Sequence, residues 1–114
     1  MVRPSLSAAL DAFARGTLPD ALPSFADGAT YVEPRKVPIR GRAAIAAEFA
    51  RFGATGVPFR FTVDDVIADG DRACVVYRFA VAKGDGGAWR ERAACATVRF
   101  DERGQIEEWR EYEG

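Results

Sequence analysis

The sequence contains no histidine, a single methionine and only two cysteines among 114 residues. Without histidine there is no Ser-His-Asp or Cys-His nucleophile, and no histidine-ligated metal. The cysteines, in Ala73-Cys74-Val75-Val76 and Ala94-Cys95-Ala96-Thr97, stand apart in apolar, strand-like surroundings. They read as buried free thiols, and two isolated cysteines do not build a structural zinc site. No metal and no cofactor is expected. Excess charge is also missing: 16 basic residues face 17 acidic ones, for a net charge of −1. That gives no pull toward nucleic acid and no polybasic membrane patch. No run of about 18 apolar residues is present, so no membrane span is expected. The start, Met1-Val2-Arg3-Pro4-Ser5, lacks the apolar core of a signal peptide, and a cytoplasmic protein is the expectation.

What is present is a globular composition, 48% hydrophobic and 29% charged. A chain of this length builds one core and one small internal pocket, so residues 1–114 are expected to form a single domain. Leu6, Ala9, Leu10, Phe13 and Ala14 fall on one face of a first helix, with Ser5 placed to cap it and Gly16 to end it. Thr17 to Leu22 reads as a short second helix, limited by Pro23. Ala26-Asp27-Gly28-Ala29 reads as a turn into a short strand, Thr30 to Glu33, followed by a loop from Pro34 to Pro38. A third helix is expected from about Gly41 to Phe52, with Ile45, Phe49 and Phe52 on one face.

The remainder reads as strands. Phe59, Phe61 and Val63 alternate with polar residues. Long strands follow at about Arg72 to Ala82 and Trp89 to Phe100, joined by the glycine-rich loop Lys83 to Ala88. Gln105 to Tyr112 is the last strand, after the turn Asp101-Glu102-Arg103-Gly104. Helices first and an antiparallel meander second predict an α+β fold with helices on one face of the sheet. Strands this long bend and twist. A bent sheet closed by helices leaves a hollow cone, a favoured place for a ligand. Alternation then puts Tyr77, Phe79 and Val81 inside, with Arg92, Ala94, Ala96 and Val98 on the next strand, and Trp109 and Glu111 on a common face of the last. Cys74, Val76, Cys95 and Thr97 take the opposite, outer face.

Three stretches resemble ketosteroid isomerases, and through them the wider group that includes nuclear transport factor 2 and the SnoaL-type polyketide cyclases. Ala26-Asp27-Gly28-Ala29-Thr30-Tyr31-Val32-Glu33-Pro34 is similar to the end of their second helix and first strand. Ile39-Arg40-Gly41-Arg42-Ala43-Ala44-Ile45-Ala46-Ala47 is similar to their next helix, and Val98-Arg99-Phe100-Asp101-Glu102-Arg103-Gly104-Gln105-Ile106 to their last hairpin. The resemblance spans almost the whole chain. It implies the cystatin/NTF2-like cone: a strongly curved antiparallel sheet with three N-terminal helices.

In ketosteroid isomerases the residue before the matched proline is the aspartate base, so the resemblance implies Glu33 as a general base acting on an activated C–H. Their oxyanion donors, a tyrosine and a protonated aspartic acid, fall on Ala9 and Ala96, which donate nothing. Steroid isomerisation by that route is therefore not expected. Tyr77 or Arg92 would have to hold an oxyanion instead. Resemblance to the SnoaL-type cyclases, which carry an acid/base carboxylate near the end of the last strand, adds Glu111. Phe13, Tyr31, Phe49, Phe79, Arg92 and Trp109 are expected to bind the ligand, a small hydrophobic molecule. Three readings stay open: a cofactor-free isomerase, cyclase or dehydratase; a non-catalytic binding module; and a mainly structural homodimer paired through the outer sheet face.

Overall fold

In the computed structural model, which describes residues 2–83 and 87–113, helices precede strands as the apolar spacing requires. Helix α1, Pro4–Arg15, starts on proline, whose missing N–H needs no partner in a first turn. Arg3 takes the cap position without a side-chain bond. Ser5 lies inside the helix, and its hydroxyl donates instead to the Gly104 carbonyl at 2.6 Å, tying α1 to the last hairpin turn. Gly16 ends the helix at φ 78°, a left-handed conformation that glycine adopts freely. Leu6, Ala9, Leu10, Ala12 and Phe13 are buried, whereas Ala14 faces solvent.

The expected short helix is a 3-10 helix, Leu18–Ser24, with Pro23 inside it. Strand β1, Phe25–Val32, begins earlier than the sequence indicates. Asp27 and Gly28 are weak strand formers, and the strand absorbs them through a register irregularity between Phe25 and Thr30. Strand β2, Ile39–Arg40, pairs with β1 and was not anticipated. Helix α2, Arg42–Ala54, buries Ile45 and Phe49.

Strands β3 (Phe59–Asp69), β4 (Arg72–Lys83), β5 (Ala88–Phe100) and β6 (Ile106–Glu113) complete a curved, unclosed sheet in the order β2-β1-β6-β5-β4-β3. The glycine-rich loop expected at Lys83 to Ala88 has residues 84–86 outside the described residues. The sheet is mixed where an antiparallel one was expected. After the β3–β5 meander, β6 returns beside β1 and runs parallel to it, while every other neighbouring pair is antiparallel. Irregularities between Val63 and Asp65 and between Arg99 and Phe100 help bend it.

The helices cover the concave face. Trp109, Phe25, Leu6, Ile45 and Ile106 are fully buried between the layers. On the convex face Cys74 and Cys95 are half-buried free thiols, and burial pushes the Cys74 thiol up. No helix among the described residues is long and apolar enough to cross a membrane.

Candidate functional site

The helices do not fill the concave face completely. A cavity of about 350 Å³ remains between α1, α2 and the inner sides of β1 and β3–β6. Its wall is aromatic because each contributing element turns its apolar repeat inward. Phe61 on β3 and Tyr77 on β4, diagonal neighbours because Phe61 pairs with Phe79 and Val63 with Tyr77, stack with centroids 4.6 Å apart. Tyr31 on β1 meets Phe49 on α2 edge-on at 5.6 Å, and Phe13 on α1 meets Trp109 at 5.5 Å. Interlocked rings of this kind hold their rotamers and fix the polar atoms they carry.

At the floor lies Glu111. It shares the inner face of β6 with Trp109 and stands opposite the small Ala96 on β5. The Tyr31 hydroxyl donates to Glu111 Oε2 at 2.8 Å, and the Trp109 indole N–H donates to the same oxygen at 2.9 Å. Tyr77 borders the same cavity from β4, and the charge of Glu111 adds to burial in keeping its hydroxyl protonated. Burial raises the proton affinity of Glu111 above the ordinary carboxylate range. The Trp109, Tyr31 and Tyr77 donors pull the other way, and the negative charge of Glu33 adds to the rise. The Tyr31 and Tyr77 hydroxyls are held protonated, first by burial and then by the carboxylate beside them. No basic side chain pairs with Glu111 among the described residues.

Glu33 occupies a different setting. It follows the end of β1 and enters a turn in which Pro34 and Arg35 are the central residues, closed by the Lys36 N–H to the Glu33 carbonyl at 3.2 Å. Its carboxylate is half-buried on the cavity rim, 3.7 Å from Lys36 Nζ. The rim also carries Glu113, which joins Arg35 and Arg92, and the pair Glu48–Arg51.

Of the residues singled out in the sequence, Glu33, Tyr77, Glu111, Phe13, Tyr31, Phe49, Phe79 and Arg92 all border this cavity. Trp109 does not. The expectation that it lines the ligand space is corrected: it is 0% exposed, packed behind Phe13 and Tyr31, and reaches the site only through its N–H. Arg92 borders the rim and is engaged by Glu113. Ala9 and Ala96 are both fully buried and offer no donor, as expected. Phe52, Phe59 and Phe61 also line the cavity. Their alternation and helical spacing were visible in the sequence. The rim partners Arg35, Glu48 and Glu113 had no such signal, since they meet only through the tertiary fold. Among the described residues no cluster of histidine, cysteine and carboxylate side chains is placed to hold a metal ion.

The sequence profile of the SnoaL-like domain matches residues 6–109. No curated protein matches the chain. Among solved structures, an NTF2-like protein of unknown function from Burkholderia pseudomallei is similar at 20% identity and a TM-score of 0.81, covering 96% of this chain and 88% of that one. An LEH-like epoxide hydrolase from M. tuberculosis is similar at 22% identity and a TM-score of 0.79, covering 96% and 80%. A protein with a ketosteroid isomerase-like fold from Catenulispora acidiphila, in complex with trimethylamine, is similar at 18% identity and a TM-score of 0.81, covering 97% and 86%. At these identities the likeness is one of fold.

Proposed function

The chain belongs to the SnoaL-like domain family of the NTF2-like superfamily, small-molecule-binding domains, and on that premise we propose that it moves a proton on a small, largely apolar molecule with Glu111 as the acid/base. The observation that carries this reading is the Glu111 carboxyl itself. It is sunk in an aromatic cavity, oriented by two donors on one oxygen, and raised in proton affinity by burial. A carboxylate so placed works nearer neutral pH than an exposed one, which suits general acid–base catalysis.

In the proposed step an ionised Glu111 takes a proton from a carbon next to a carbonyl. The C–H bonding pair moves into the carbonyl as an enolate, and the protonated Glu111 returns the proton to another atom of the same molecule. Tyr77, held protonated on the cavity wall, is the donor assigned to stabilise the enolate oxygen. Tyr31 and Trp109 act as positioning residues that fix Oε2. Glu33, the base expected by resemblance, is the second carboxylate, and its own variant separates the two roles. The relation of fold to the epoxide hydrolase adds epoxides to the substrates worth testing beside ketones and lactones.

The test is turnover of such a panel by the wild-type protein, Glu111→Gln and Glu33→Gln. Loss of a general base costs about 100- to 10,000-fold. Glu111→Gln should lose turnover to that extent while still binding ligand, and wild-type kcat/KM should rise with pH as Glu111 ionises. Full activity in Glu111→Gln refutes the assignment.

A second reading, a binding module without chemistry, is favoured by one observation. The Tyr31 and Trp109 donors are already taken up by Glu111, and Ala9 and Ala96 supply none. Ligand binding by the wild type and Glu111→Gln alike, with no turnover in either, would establish it. We further propose homodimerisation through the convex face around Cys74, Val76 and Cys95; a concentration-independent monomer in light scattering would reject it.

A further inference from the structure

The rim differs in charge from the rest of the molecule. The chain as a whole is slightly acidic, yet the rim carries two more cations than carboxylates. Lys36 pairs with Glu33 and Arg51 with Glu48. Arg35 and Arg92 share a single carboxylate, Glu113. Arg90 borders the cavity two residues before Arg92 on the same face of β5, and among the described residues no carboxylate lies within ion-pair distance of it.

We infer, resting on the cavity reading above, that the ligand is an amphiphilic anion: an apolar body seated among the aromatic side chains, with one oxyanionic group, carboxylate or phosphate, held at the rim by Arg90, Arg92 and Arg35. Glu113 shows how the rim holds such a group. One of its oxygens meets Arg92 Nη1 and the other meets Arg35 Nη2 at 2.9 Å. Each guanidinium gives one charge-assisted N–H to one oxygen, among the stronger kinds of hydrogen bond. Arg35 reaches it from a backbone at φ 60°, a left-handed conformation that non-glycine residues seldom take. Glu113 is the internal stand-in, and the ligand's oxyanion takes its place or sits beside it on Arg90. Two residues along a strand span about 7 Å. An anion at the rim therefore stays that far from Glu111 and presents atoms several bonds from its charge to the floor.

The experiment is calorimetric titration of the wild-type chain with 4-phenylbutyrate, 4-phenylbutyl phosphate and the uncharged 4-phenylbutan-1-ol. An exposed ion pair contributes up to about 1 kcal/mol, so at least one anion should bind about 3- to 5-fold more tightly than the alcohol. Which anion leads identifies carboxylate or phosphate as the head group. The anion-to-alcohol ratio should fall to about one in the Arg90→Ala/Arg92→Ala double variant and at high salt. It should rise in Glu113→Gln, which frees both arginines. Circular dichroism of each variant confirms that these exposed changes leave the fold intact. An alcohol that binds as well as both anions, or a preference that survives the double variant, overturns the inference while the cavity reading stands. If none of the compounds binds, the cavity reading fails and the inference falls with it.

Discussion

On β6, Glu111 and Glu113 lie two residues apart and border one cavity, yet their surroundings push their protons in opposite directions. At the floor, burial dominates and raises Glu111. At the rim, hydrogen bonds from Arg35 and then Arg92 hold Glu113 below its ordinary range. The floor supplies neutral donors on a rigid aromatic frame, whereas the rim supplies cations in water. A cation at the floor would fix Glu111 as a permanently ionised, weakly basic carboxylate. Neutral donors orient it and leave its proton exchangeable. Residue type is therefore uninformative here, and the neighbours decide which glutamate does chemistry and which holds charge.

The largest break in this contrast is expected from Trp109→Ala. It removes a fully buried indole packed against Phe13 and Tyr31. Truncating a core tryptophan costs about 3–5 kcal/mol, read as a lower urea midpoint. The loss is confined to the floor, so the rim pair Arg51–Glu48 should be unaffected in any variant that still folds.

Glu111→Gln comes next, and its sign depends on pH. A carboxyl with a raised folded-state pKa binds protons more readily folded than unfolded. Below the ordinary carboxylate value of 4.5 both states are protonated, and Glu111 costs nothing. As pH rises through the window from that value to the raised one, stability is lost, and the loss is complete above it. Gln keeps a carbonyl to accept from Tyr31 and Trp109 and never ionises. Glu111→Gln should therefore be more stable than the wild type at neutral pH, with the two melting curves converging in acid. Equal stability at every pH would show that Glu111 is not desolvated.

The sequence carried the elements well because the alternation of Phe59, Phe61 and Val63 in β3, the long apolar runs of β4 and β5 and the helical stripe of α1 leave little freedom. It also put Trp109 and Glu111 on one face. What it could not show was that β6 lies parallel to β1, the pairing that sets Tyr31 opposite Trp109 and within reach of Glu111. Without it Glu33, marked by Pro34, was the more visible carboxylate. Trp109 was assigned to the wall because parity gives a side chain's face but not its depth. The rim was illegible for a similar reason: Arg35 and Glu113 are 78 residues apart and meet only after folding.

Tyr31→Phe sharpens the contrast by taking one donor from the floor and leaving the ring in place. Hydrogen bonds to charged groups contribute about 1.5–3 kcal/mol, and neutral ones about 0.5–1.5 kcal/mol. The destabilisation should therefore be larger at neutral pH than in acid, where Glu111 is protonated. Losing a donor to the ionised form also raises the Glu111 pKa further. A rising limb of kcat/KM that moves toward higher pH would record this, and a limb that stays in place would show that Tyr31 serves packing alone.

The smallest expected effect on stability is at the rim, and it is also where rim and floor communicate. Glu33 is partly exposed and 3.7 Å from an exposed Lys36, so Glu33→Gln should change stability by less than about 1 kcal/mol. Its charge, however, is one of the influences raising the proton affinity of Glu111. Removing that charge lowers the Glu111 pKa, opposite in direction to Tyr31→Phe, without touching any bond at the floor. A carbon-13 titration of the glutamate carboxyls reads the midpoint directly. The shift should shrink as salt is added, because the field crosses a partly hydrated mouth where mobile ions screen it. A midpoint that does not move at low salt would mean that the floor is electrically sealed from its rim, and Glu33 would then have no part in tuning the proton on Glu111.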